Sequence, residues 1–506
     1  MRVQTNKIFV ILLWGIVFAL AYAQSPLYTS NQNQYFLHGL AQAGFGSLDK
    51  DWLANTADPT PVFSLMVALV YRYLRWEGLF YFLYAGLMGV YFYSLWGIAA
   101  HIYDLRASPT KRLLFLALIV TLHAAGLRFV LSRLVGVNWT YIFEDGLADQ
   151  RLLGPVLQPS AFGVFLLLSI YLYLKRKLIL AVLVAVLAAT FHPTYLLSAA
   201  TLTAAYLLST AYEERSLKKA FVLGAFALMA VAPILLTSLP VFVAAPAASL
   251  ELARQILVEY RIPHHAMVSW WFDATAVFKM LLILLALILV RGTRLFLVLL
   301  VCAGVAGGLT LLQIILESHA LALLFPWRIS TFLLPLSSAL LLAYLVDRSL
   351  DSQRLDTPKG RKAIAGLSIA LVLLSVFAGL VRFPLDLQRK ASEPERRVQA
   401  YVAAKGEVGD LYLIPLKMQD FRLAAGAPAF VDFKSIPYQA DEVIEWYRRE
   451  QLADRFYRSH DCSVLDALRE LYPLTHIIVE TESDPLVCPR LELVYSDDAY
   501  SLLRVR

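Results

Sequence analysis

Pro61-Val62-Phe63-Ser64-Leu65-Met66-Val67-Ala68-Leu69-Val70-Tyr71-Arg72-Tyr73-Leu74-Arg75-Trp76 is the stretch whose reading decides the fold. It is apolar enough to enter a bilayer, yet short for a span, and it closes on Arg72, Arg75 and Glu77. Either it crosses the membrane, or it lies on or dips into one face. The basic clusters decide between the two. If 61–74 crosses, the next apolar run (78–103) exits outward, and Arg106, Lys111 and Arg112 fall outside with later clusters on alternating wrong sides. If it does not cross, spans lie near 78–103, 113–135, 155–174, 178–192, 193–211, 220–239, 273–290, 295–316, 322–346 and 363–381. With a first span ending near Ala23, that makes about eleven. The clusters Arg106/Lys111/Arg112, Lys175/Arg176/Lys177, Arg215/Lys218/Lys219, Arg291/Arg294 and Arg348/Arg354/Lys359/Arg361/Lys362 then share one side. With Arg2 and Lys7 of the N-terminus, that leaves about eighteen basic residues inside against about six in the outer loops. The proline-led segment is therefore expected to be a surface or re-entrant helix.

The rest of the composition agrees. The chain has 506 residues, of which 59% are hydrophobic, in long runs that suit a polytopic helical membrane protein. Short alternating strands of a membrane barrel are not the pattern. The net charge of +7 comes from the clusters just named, which are topology signals, so no nucleic-acid partner is expected. Arg2 and Lys7 precede an apolar run from Ile8 that ends in Ala21-Tyr22-Ala23. That pattern fits a retained first span and also a cleavable signal peptide, and either way the following loop is extracytoplasmic.

After Val381 the composition becomes charged and mixed. Strand-like runs occur at Leu411–Ile414, His476–Val479, Leu491–Tyr495 and Tyr500–Val505, and helix-like ones at Asp441–Leu452 and Val464–Leu471. With an odd span count this tail is extracytoplasmic, where Cys462 and Cys488 suit a disulfide. Cys302 sits in an apolar run and reads as packing. The expected fold is an all-α polytopic membrane domain over 1–381, whose outer loop 24–77 carries two surface helices. A small extracytoplasmic α/β domain over 382–506 follows, with Pro384 and Pro394 at the hinge. No internal repeat supports an inverted-repeat transporter.

Polar residues gather in the loops this topology places outside. The opening loop carries Asn31-Gln32-Asn33-Gln34-Tyr35, His38, Asp49, Asp51, Trp52 and Asp58. Tyr35, Phe36 and Leu40 can share one side of a helix over 31–45 lying along the membrane. Further outer loops hold Trp139, Tyr141, Glu144, Asp145, Asp149 and Arg151, then His192-Pro193, then Arg261, His264 and His265, then Arg328. A charge a few residues inside a span is costly, which makes Arg328 a functional candidate, or a residue that snorkels to the interface. His192 also reads as a simple helix break before proline, and the acidic loop as an ordinary solvated one. Adjacent histidines on a helix do not face one ligand together. Collected at one leaflet, such residues suit an amphipathic lipid phosphate. Arginine clamps the phosphate, a carboxylate accepts a hydroxyl proton, and aromatics stack on sugar faces.

The layout resembles the membrane glycosyltransferases of the GT-C fold, especially the protein O-mannosyltransferase and lipid A aminoarabinose transferase branch. There a first span is followed by an outer loop of two surface helices, opening on an acidic D-E-x-x-Y motif. A G-D-W-like element and a K-P-P-L or H-P-P-L element follow. The corresponding strings here are Asn31-Gln32-Asn33-Gln34-Tyr35, Leu48-Asp49-Lys50-Asp51-Trp52 and Asp58-Pro59-Thr60-Pro61. The resemblance implies an inverting glycosyltransferase of a bacterial inner membrane, with a cytoplasmic N-terminus. A polyprenyl-phosphate-linked sugar would be the donor, and a hydroxyl on a lipid, glycan or protein the acceptor.

One departure matters. Asn31 and Asn33 stand where the family has its acidic base, and an amide cannot take the acceptor's proton. The catalytic carboxylate is therefore sought among Asp58, Glu144 and Asp145. Arg151, Arg261 and Arg328 are candidates for the donor phosphate. Asn31, Asn33, Tyr35, His38, Asp49, Asp51, His192 and His264 are candidates for substrate contact. Glu144 and Asp145 are the candidate ligands of a divalent cation, Mg or Mn. The alternative class is a non-catalytic lipid-glycan-binding scaffold or transporter that keeps the same fold.

Overall fold

The computed structural model describes residues 2–213, 215–243, 245–350, 357–481, 488 and 490–506. Arg354 of the last basic cluster lies outside them. The chain divides into two compact units. One holds Met1–Gln24, Phe80–Thr237 and Val258–Pro384, and the other Ser25–Leu79, Ser238–Leu257 and Leu385–Arg506. The opening loop thus belongs to the same unit as the C-terminal tail.

The first unit is helical. Among the described residues, five helices are long and apolar enough to cross a membrane: Gly78–Ile102, Leu217–Thr237, Arg294–Leu316, His319–Leu350 and Pro358–Ala391. Only 17% of the best window of Pro358–Ala391 is buried, against 78% for His319–Leu350, so the former is peripheral and the latter central. Leu367, Leu373, Leu374 and Phe377 stand exposed along Pro358–Ala391, an apolar stripe that water would penalise and lipid would not. Most other expected spans are shorter helices. Phe9–Tyr22, Pro159–Leu174, Leu178–Phe191 and Ala274–Leu289 all fall within 10–17 residues.

The run expected as one span over 113–135 is broken. Helix Pro109–Leu122 and helix Ala125–Leu134 meet at a 55° bend, and counting the pair as one span raises the total to six. The extended backbone of Ala124 makes the break. The His123 carbonyl, left without a helical partner, accepts instead from Arg128 Nη1 at 3.1 Å. That break carries Arg128 into the site described below.

The second unit is α/β. Strands β1 (Tyr412–Leu413), β2 (His476–Glu480), β3 (Leu491–Ser496) and β4 (Tyr500–Val505) form one sheet in the order β1-β2-β4-β3. β1 runs parallel to β2, and the other two pairings are antiparallel. Because side chains alternate along a strand, the sheet has two cores. Leu413, Ile477 and Leu503 pack with Val443, Trp446 and Phe456 of helix Ala440–Ser459. Ile414, Ile478 and Leu502 pack with Val398 and Val402 of helix Arg396–Lys405. Cys462 and Cys488 are joined, with Cα atoms 5.7 Å apart.

The opening loop differs from a helix lying free on a surface. It forms two short helices, Gln32–Tyr35 and Leu37–Ala43, with Phe36, Leu37 and Leu40 fully buried and His38 and Ala41 buried as well. Burial on several sides, rather than one apolar stripe, makes it interior structure of this unit. The proline-led segment is helix Pro61–Leu69 continued by a wider π turn, Val70–Leu74. It packs on Leu37–Ala43 at Gly39, where a Cβ would stand 2.5 Å from the Ser64 carbonyl oxygen and 2.7 Å from Val67 Cβ. Only glycine permits that approach.

Candidate functional site

In the helical unit, the stretch between helix Ala125–Leu134 and helix Val164–Leu174 folds into a knot of buried charge. Asp145 and Arg151 close it as an isolated bridge, with the Gly146 amide donating to the Gln150 carbonyl at 2.6 Å. Gly146 has no side chain to spare. A Cβ there would lie 2.7 Å from the Thr331 amide nitrogen. The Leu147 amide donates to Ser330 Oγ at 2.8 Å, pinning the turn to helix Ser330–Leu350.

Three cations and two buried carboxylates meet there. Arg128 Nη1 donates to Glu144 Oε1 at 3.2 Å, and its Nη2 donates to the Tyr22 carbonyl. Lys279 Nζ lies 2.7 Å from Asp145 Oδ1 and donates to the Gly146 carbonyl at 2.9 Å. The Arg151 guanidinium stacks 4.0 Å over the Tyr141 ring and stands 3.9 Å from Asp145 Oδ2 and from the exposed Asp149. Glu144 is 3% exposed, and its Oε2 has no hydrogen-bond partner among the described residues. Burial pushes its carboxyl up to about 7, with the Arg128 guanidinium pulling the other way. Burial also raises Asp145, against the pull of Lys279 and Arg151. With Asp149 in solvent, the buried charges sum to a positive site, more so when Glu144 holds a proton.

A second polar group of the same unit centres on Arg328. Its Nη1 meets His192 Nε2 at 2.8 Å and donates to Thr194 Oγ1 at 2.5 Å. His192 therefore accepts through Nε2 and works with Arg328 as one element, more than a helix break. His265 Nδ1 donates to the Ala148 carbonyl at 2.7 Å. Arg261 is buried, while His264 is exposed and lies ring to ring with His265 at 4.1 Å.

The nominated residues of the opening loop sit in the other unit, where Asp51 binds the loop to the tail. Asp51 is fully buried. Its Oδ2 accepts from Arg422 Nε at 2.7 Å and from the Ala429 amide at 2.9 Å, and its Oδ1 from the Leu53 amide at 2.8 Å. The same guanidinium reaches Asp432. A carboxylate so occupied binds the opening loop to the tail. Gln34 exchanges two hydrogen bonds with the Ile436 backbone, at 2.7 and 3.1 Å. The Asn33 carbonyl accepts from Ser435 Oγ at 3.5 Å, and its buried side-chain oxygen has no partner among the described residues. Asn31 begins the first short helix without a side-chain cap, and Tyr35 ends it half-buried. His38 Nε2 contacts the Thr56 carbonyl at 3.2 Å. Asp49 is exposed and pairs with its neighbour Lys50 at 2.9 Å. Asp58 Oδ1 accepts from the Thr60 amide at 2.8 Å, a turn that starts helix Pro61–Leu69.

The divalent-cation assignment does not fit. Among the described residues no three His, Cys, Asp or Glu side chains gather to hold a metal. Glu144 and Asp145 each face the chain's own cations. Neither Lys279 nor Arg128 is among the residues that the sequence nominates. A lone lysine in the apolar run Ala274–Leu289 was the available signal, because such a charge needs a partner.

A family model described as Domain of unknown function (DUF6798) matches residues 393–453. That stretch includes Arg422 and Asp432, the partners of Asp51. No curated protein matches the chain.

Proposed function

We propose that the chain is a multi-pass membrane glycosyltransferase of GT-C layout that uses a polyprenyl-phosphate-linked sugar at the extracytoplasmic face of a bacterial inner membrane. About eleven apolar segments cross or enter the bilayer in this reading, the shorter ones incompletely. The carrying observation is Glu144: a buried carboxyl with one oxygen on Arg128, the other unpartnered, and an affinity for protons near neutrality. Such a group is poised as a general base at neutral pH. The acceptor hydroxyl oxygen attacks the anomeric carbon while its proton passes to Glu144. The bond from that carbon to the phosphate oxygen breaks, and polyprenyl phosphate leaves with the bonding pair. Arg151, one of the three cations of the site and a fifth exposed along its side chain, receives the phosphate charge, with Arg328 as second candidate.

A scaffold without catalysis is the second reading, favoured by Asn31 and Asn33 where the related enzymes carry an acid. Mass spectrometry of polyprenyl-phosphate glycans and surface glycans in a deletion strain separates the two. Accumulated donor with a missing sugar supports transfer, and an unchanged glycan profile supports the scaffold.

A further inference from the structure

The α/β unit holds a feature that sugar transfer does not use. A cavity of about 760 Å³ opens beside the π turn, lined by Gly44, Tyr71, Arg72, Arg75, Trp76 and Glu77 among others. Neither arginine makes an ion pair among the described residues; Arg72 lies 6.0 Å over the Tyr73 ring. Glu77 accepts a hydrogen bond from the Tyr28 hydroxyl. On the same segment Leu65, Leu69, Tyr73, Leu74 and Trp76 are exposed, each by 47–71%, while Phe63, Ser64, Val67 and Ala68 face the interior.

We propose that this segment docks on an anionic phospholipid surface, its exposed apolar stripe entering the acyl boundary and Arg72 and Arg75 taking headgroup phosphates at the cavity mouth. Three facts support one occupant. The stripe is too apolar for water and ends in an exposed Trp and Tyr, residues at home at the bilayer interface. Two guanidiniums stand at its end, where the complementary charge of phosphate sits. The chain then enters helix Gly78–Ile102, long and apolar enough to cross a membrane, so this segment reaches the headgroup layer by connectivity alone. A protein partner would need a polar rim, and the stripe is followed directly by a helix long and apolar enough to cross a membrane.

The test uses the full chain in lipid nanodiscs, with an environment-sensitive fluorophore on Tyr73→Cys. Cys302 is buried and the other cysteines are bonded, so the label goes to position 73. Quenching by brominated acyl chains should rise as phosphatidylglycerol replaces phosphatidylcholine, and inorganic phosphate should not reverse it. An arginine near an anionic surface strengthens attachment about fivefold, so R72Q/R75Q should lower the docked-to-undocked ratio about thirtyfold. The proposal fails if the label stays in water, if quenching ignores headgroup charge or the two arginines, or if inorganic phosphate releases it. None of these readings needs sugar transfer, so this outcome and the catalytic one are independent.

Discussion

Arg128 Nη1 holds one oxygen of Glu144 at 3.2 Å, while the other oxygen of the same carboxyl is buried without a partner among the described residues. The desolvated half keeps the proton bound up to about 7, against an ordinary value of 4.5. Between those values the folded chain binds more protons than the unfolded one, so this group's stabilisation is present at low pH and lost as pH rises through 7. The effect is at most about 3 kcal/mol. Glu144→Gln cannot titrate. The Tm of the wild type minus that of E144Q should therefore fall from about pH 5 to about pH 7.5. A flat difference would count against the raised value.

Asp145 and Lys279 are a buried pair, 2.7 Å apart with side chains 3% and 5% exposed. Breaking such a pair from one side strands a charge and costs about 3–5 kcal/mol, whereas removing both charges costs far less. Lys279→Met should lower the thermal midpoint of the purified protein in detergent sharply. Adding Asp145→Asn should restore most of it. Equal loss in single and double variants would mean the pair does not act as one.

Asp51 and Arg422 join residues 371 positions apart. Asp51→Ala should destabilise the α/β unit by about 3–5 kcal/mol, since it leaves Arg422 short of one of its two carboxylates. Limited proteolysis should cut the tail of D51A faster than that of the wild type, and a cleavage pattern like the wild type's would contradict the structural role.

The Cys462–Cys488 bond closes a segment with a sequence separation of 26 residues. A loop of that size restricts the unfolded chain by about 3.5 kcal/mol. Replacing both cysteines by alanine should lower the midpoint of the α/β unit, followed by its near-ultraviolet circular dichroism, and the reductant sensitivity of that midpoint should vanish.

How much of this was legible in the sequence follows from the range of the forces. The strands were legible because alternation is local: β2 and β4 lie within a residue of the runs at His476–Val479 and Tyr500–Val505. The apolar helices were legible for the same reason, but their lengths were not. The break at Ala124 is not written in local propensity, and it is what brings Arg128 to Glu144. The burial of the opening loop's first helices was not legible, because Asp51 and Gln34 have partners in Arg422 and Ile436, hundreds of residues away. Of the candidate site, Glu144, Asp145 and Arg151 stood out by residue type. Lys279 did not, because its meaning appears only when Asp145 is brought to it.

Transfer itself is the most direct measure of the account. The full-length chain, expressed in the deletion strain, should restore the missing surface sugar, and Glu144→Gln should reduce transfer by about a hundredfold or more while donor accumulates. The variant should still fold, which its thermal midpoint reports. Restoration by E144Q at the wild-type rate would contradict the assignment of Glu144 as the base.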